Sequence, residues 1–160
     1  MMRKKRLLMA AVALCLLVGC NDGKVYDRYR HTPLTGWEKN DTLSFSVGRV
    51  KQAGSYNAEL GLRINGSYPF TSLTLLVEHE VLPSHEHGID TLTCVLTDKD
   101  GIRTGRGLST YQYEFRIRQF HLVPNDSIHF EIRHDMKREI LPGISDIGIA
   151  VRKVGSDVAI

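Results

Sequence analysis

Apolar and polar side chains alternate with a period of two along most of this chain. In "DTLSFSV", Leu43, Phe45 and Val47 share one face, and in "SYNAELGLRI" Tyr56, Ala58, Leu60, Leu62 and Ile64 do the same. The pattern returns with Leu73, Leu75 and Val77 in "SLTLLVEHEV", then in "DTLTCVLT", and with Tyr111, Tyr113, Phe115 and Ile117 in "YQYEFRIR". It closes with Ile128, Phe130 and Ile132 in "DSIHFEI" and with Ile147, Ile149 and Val151 in "DIGIAVRKV". Successive side chains of a strand point to opposite faces, so each such segment buries one face and leaves the other in water. These segments, separated by Gly, Pro, Asn and Asp clusters, predict antiparallel strands. Helical spacing is confined to "HDMKREILPG", where Met136 and Ile140 stand one turn apart before a Pro-Gly stop. Short strands at regular intervals predict an all-β domain, a single antiparallel β-sandwich of jelly-roll or immunoglobulin-like type. Asp100-Gly101 in "TDKDGIRTGRG" suits a tight reversal.

The start of the chain is built differently. Arg3, Lys4, Lys5 and Arg6 precede an apolar run from Leu7 to Val18. That run falls short of the about 20 residues needed to span a bilayer, and the order of basic, apolar and small residues is that of a secretory signal peptide. An ordinary cleavage site wants a small residue at −3, where Leu17 stands. Leu17-Val18-Gly19-Cys20 instead resembles the lipobox of bacterial lipoproteins, which implies cleavage before Cys20 and acylation of its thiol and new amino terminus. The expected organisation is a lipoprotein signal peptide over 1–19, a lipidated cysteine and polar tether joining the fold over 20–40, and the β-sandwich over 41–160. A second acyl chain already makes membrane anchoring stable, so Cys20 is the expected link to the membrane.

Charge and cysteine usage change once the signal is set aside. The chain has 21 Lys+Arg and 18 Asp+Glu, but four of the basic residues precede the expected cut, leaving 17 against 18. A net of −1 offers no basis for nucleic-acid binding. Of the three cysteines, only Cys94 remains for the domain. It alternates with Leu92 and Leu96 and reads as a small buried hydrophobe, without a partner for a disulfide.

The densest polar cluster is "VEHEVLPSHEHGID". His79, His85 and His87 are weak candidates for a metal, since Pro83 stands where a zinc-protease motif would need its second histidine. A solvated turn explains the cluster better, and no cofactor is expected. Ser84, His85 and Asp90 form no credible triad within one loop, and Gly-x-Ser-x-Gly is absent. "DKDG" lacks the later ligands of a calcium loop, and "GRG" lacks the Lys-Ser/Thr of a phosphate loop. An enzyme is not expected. Trp37 and Tyr68 are the aromatic residues not committed to a core face, and a carbohydrate-binding envelope lipoprotein would need them exposed.

"VYDRYRHTPLTGWEKNDTLSF" (Val25 to Phe45), "LTLLVEH" (Leu73 to His79) and "HDMKREILPGISDIGIAV" (His134 to Val151) together resemble the gliding motility lipoprotein GldH family of Bacteroidetes. The resemblance implies a membrane-anchored β-sandwich that serves the gliding apparatus and the linked type 9 secretion machinery. It transfers no catalytic residue and one functional position, Cys20. The implied partners are the membrane, through the acyl chains, and envelope proteins of that machinery. The implied location is the cell envelope facing the periplasm, with Asn21-Asp22-Gly23-Lys24 compatible with either membrane.

Overall fold

The computed structural model describes residues 23–155, so the signal segment and Cys20 lie outside the described residues. Ten strands follow one another: β1 (Lys24–His31), β2 (Trp37–Glu38), β3 (Leu43–Val47), β4 (Gly54–Asn65), β5 (Ser72–Leu82), β6 (Glu86–Val95), β7 (Thr110–Leu122), β8 (Ser127–His134), β9 (Ile140–Leu141) and β10 (Ile144–Lys153). All pair antiparallel, and no helix occurs among the described residues. The seven alternating segments correspond to β3, β4, β5, β6, β7, β8 and β10.

Two four-stranded sheets, β1-β10-β4-β7 and β3-β8-β5-β6, enclose the core, and β2-β9 forms a short ribbon beside them. Lettered B to I in chain order, the eight long strands fall into sheets BIDG and CHEF. That order is the jelly roll; the immunoglobulin order would be ABED and CFG. The alternating residues meet between the sheets: Leu60, Leu62 and Ile64 face Leu73, Leu75, Val77, Phe130 and Ile132, all fully buried.

Three local expectations are corrected. Lys24–His31, expected within a polar tether, is an edge strand paired along its length with β10. Its burial pattern shows no clean alternation, because backbone hydrogen bonds rather than an apolar face hold it to the sheet. The helical turn at Met136 is replaced by β9, which pairs Leu141 with Trp37 and Ile140 with Glu38. Lys39 N–H also donates to the Glu139 carbonyl (2.8 Å), giving the backbone a partner outside its own segment. Finally, β7 carries a bulge: Ala58 faces Arg118 while the next residue, Glu59, faces Arg116. The extra residue, Ile117, ends the simple alternation expected from Tyr111 to Ile117, and beyond it Phe120 and Leu122 carry the core face.

Candidate functional site

The three candidate histidines occupy three environments. His79 continues the core face of β5 two residues beyond Val77 and is 2% exposed. Its ring meets Phe120 edge-on, with centroids 5.1 Å apart. Past the β7 bulge, Arg118 turns toward it, and Arg118 Nη1 donates to His79 Nε2 at 2.8 Å. Nε2 is therefore the acceptor, so the proton of the neutral ring sits on Nδ1, 3.4 Å from Asp90 Oδ2. Burial, reinforced by the Arg118 charge, lowers the His79 pKa below the ordinary imidazole value. Gly88 makes room: a Cβ there would lie 2.6 Å from His79 Cε1. With both ring nitrogens facing Arg118 and Asp90, His79 is a buried structural group. His85 stands exposed in the turn, its Nδ1 2.6 Å from Glu80 Oε1, and His87 lies on the outer face of β6. Among the described residues no group of three or more His, Cys, Asp and Glu is arranged to hold a metal ion.

The uncommitted aromatics are interior. Trp37 is fully buried, donates from Nε1 to the Asp41 carbonyl (3.0 Å) and meets His134 edge-on. Tyr68 is buried against Phe70 and donates from Oη to the Ser72 carbonyl (2.8 Å). Neither ring offers a face to a sugar. Cys94 is fully buried, and burial pushes its thiol up to about 12, far from thiolate reactivity at neutral pH. Asp98 uses its carboxylate inside its own turn, where Oδ1 accepts from the N–H groups of Asp100 and Ile102 at 2.9 Å each.

Two surfaces escape pattern reading. On the outer face of β1-β10-β4-β7, Tyr29 pairs with Gly148, and Gly148 pairs with Gly61. Two adjacent positions thus lack side chains, and the Tyr29 ring lies across them: a Cβ on Gly61 would stand 2.2 Å from its hydroxyl. The Arg63 guanidinium stacks on that ring at 4.1 Å. Beside it runs a groove of about 200 Å³ bordered by Asp27, Glu59, Glu114 and Arg152, with Arg152 bridged to Glu59 at 3.1 Å. The paired glycines in "ELGLR" and "DIGIA" are the trace this leaves in the sequence, legible only once β4 and β10 are known to be neighbours.

The second surface is β6, an edge strand whose one sheet neighbour is β5. Ten residues pair with β5 without a register shift, and Ile89 and Val95 project outward, 55% and 61% exposed. Asp90 points inward toward Arg118 (3.6 Å), an inward charge of the kind that guards an edge against indiscriminate pairing.

Sheet order, buried aromatics and polar outer faces define an all-β jelly-roll domain whose edge strands include β6 and β7. Residues 24–151 match the GldH lipoprotein family, and the chain belongs to it. The three stretches that suggested this family lie within the matched region. The chain is 28% identical over 160 residues to the gliding motility lipoprotein GldH of Flavobacterium johnsoniae, covering 92% of this chain and 94% of that one. Among solved structures, a family GH115 4-O-methyl-α-glucuronidase overlaps with a TM-score of 0.43 at 14% identity, over 82% of this chain and 18% of the enzyme. A xylanase of Clostridium thermocellum overlaps with a TM-score of 0.41 at 12% identity, over 84% of this chain and 29% of the enzyme. Overlaps this shallow transfer no activity.

Proposed function

We propose that this chain is a membrane-anchored lipoprotein of the gliding-motility type. It is held through acyl chains on Cys20, faces the periplasm, and works by docking envelope proteins rather than by catalysis. The observation that carries the docking role is β6. Its backbone edge is open, its outer face presents Ile89 and Val95, and the inward Asp90 leaves that edge to a specific partner. Adding a strand there would satisfy its unpaired backbone groups, while the two apolar side chains would supply selectivity. Membership of the GldH lipoprotein family supports the envelope setting, and partners from the gliding or type 9 secretion machinery fit it.

A photo-crosslinking residue at Ile89 of the tagged lipoprotein, used in its own envelope and read by mass spectrometry, tests this. Discrete adducts with envelope components are expected, and Val95→Lys beside the crosslinking residue at 89 should weaken them sharply without changing thermal stability. Adducts no different from those at Asn57, on the far sheet, would remove β6 as the docking edge. The anchor has its own readout: the amino-terminal peptide of the mature protein should carry the mass of acyl chains on Cys20, and an unmodified thiol there would sink the anchoring.

A further inference from the structure

The chain enters the fold at one end of the sandwich. There Lys153 N–H donates to the Gly23 carbonyl at 2.8 Å, tying the last strand to the first described residue. Three peptide links separate Cys20 from Gly23, and an extended chain spans at most about 3.6 Å per residue, so the two lie within about 11 Å of each other. If Cys20 carries the anchor, as proposed above, this end of the sandwich stands against the headgroups whatever path those links take.

That end is cationic at one corner. Between the start of β1 and loop 48–53, which joins β3 to β4, lies a cavity of about 440 Å³. Its charged lining residues are Lys24, Arg49, Lys51 and Lys153, with no carboxylate among the described residues that line it. The chain beyond the signal is close to neutral, so this is a local concentration of charge. The loop is held in shape. Val50 is buried at 5% exposure; its N–H donates to the Asp126 carbonyl (2.7 Å) and its own carbonyl accepts from Asn125 N–H (2.9 Å). Tyr56 Oη donates to the Gln52 carbonyl at 2.7 Å. With Val50 turned into the core, Arg49 and Lys51 on either side are turned out, and both are exposed. Lys153 Nζ reaches the same loop, donating to Gln52 Oε1 at 2.6 Å. Lys24 is tempered by Asp27 at 2.7 Å. Asp126, in the turn between β7 and β8 that holds Val50, accepts through Oδ2 from Val123 N–H (2.9 Å). The positive field therefore belongs to the corner around loop 48–53.

The geometry points to this corner as a docking surface for anionic phospholipid headgroups. Arg49, Lys51 and Lys153 contact phosphates of the leaflet that holds the acyl chains and set the tilt of the sandwich on the membrane. Lipid is the occupant because the short link keeps this corner near a dense layer of phosphate, within about one Debye length at physiological salt (~8 Å) once the link is less than fully extended. The inference rests on Cys20 as the anchor for its biology, but its test does not.

The test uses the mature chain from residue 20 with Cys20→Ser, so that acyl chains contribute nothing, sedimented with vesicles of phosphatidylcholine with and without phosphatidylglycerol. Binding is expected to the phosphatidylglycerol vesicles alone, to weaken as salt is raised, and to fall about five-fold for each cation removed from the surface. Arg49→Glu with Lys51→Glu should abolish it. Lys137→Glu with Arg138→Glu, in the loop between β8 and β9 at the opposite end, should leave it intact. No binding to anionic vesicles, equal binding to both vesicle types, or equal loss in the two reversals would overturn the inference. A failure of anchoring would show instead in the mass of the Cys20 peptide and leave these results unchanged.

Discussion

At Gly143 a single hydrogen atom decides whether the chain can turn. The residue has φ +81° between Pro142 and Ile144, and a Cβ would lie 2.2 Å from the Tyr68 backbone nitrogen. Gly143→Ala therefore meets both backbone strain and a rigid neighbour, and should cost about 2 kcal/mol or more in urea unfolding. The histidines make a residue-scale prediction of another kind. His79 and His134 are almost fully buried, and burial lowers the pKa of each. Below the ordinary imidazole value the unfolded chain binds more protons than the folded one, so stability rises with pH and is lost on acidification. Between about pH 7.5 and about pH 5.5 the urea midpoint should drop, by at most about 1.4 kcal/mol per pH unit for each histidine. His79→Gln keeps an acceptor for Arg118 and should remove one share of that slope. An unaltered slope would assign it elsewhere.

Among the elements, β1 and β6 show how little an edge strand needs an apolar stripe. β1 joins the sheet through its backbone, which covers the flank of β10, and Tyr29 then fills the trough over Gly61 and Gly148. Deleting residues 24–31 should expose β10 as a new edge and lead to aggregation or loss of cooperative unfolding. A free tether could be removed without either effect. On β6, in contrast, Ile89→Lys and Val95→Lys place charge on an already wet face, so stability should stay within about 0.5 kcal/mol while partner capture is lost. The bulge in β7 belongs to this scale as well: one extra residue sends Arg118 inward to His79 and Asp90, linking the open edges of the two sheets.

For the whole molecule, the two ends of the sandwich differ. One carries the chain entry and the cationic loop 48–53; the other carries Trp37, Tyr68 and the β2-β9 ribbon. Cys20→Ser combined with an ordinary secretory signal in place of residues 1–19 should move the protein from the membrane to the soluble fraction, with the fold of residues 23–155 unchanged by circular dichroism. Much of this architecture was written in the sequence. Period-two burial is a local signal, since any strand between water and a core must show it, and so Leu60, Leu75 and Phe130 could be placed on the core face without knowing their neighbours. The buried role of Cys94 and the family resemblance were legible on the same terms. The signal segment and Cys20 are expectations of a linear pattern and lie outside the described residues. Tertiary structure alone decided the jelly roll over the immunoglobulin order, because backbone hydrogen bonds pair β1 with β10 and β4 with β7 without leaving a side-chain signature. It alone brought Arg49 and Lys51 beside Lys153, and His79 beside Arg118 and Asp90. Those groups act through distance in space, and the chain separates them by up to about a hundred positions.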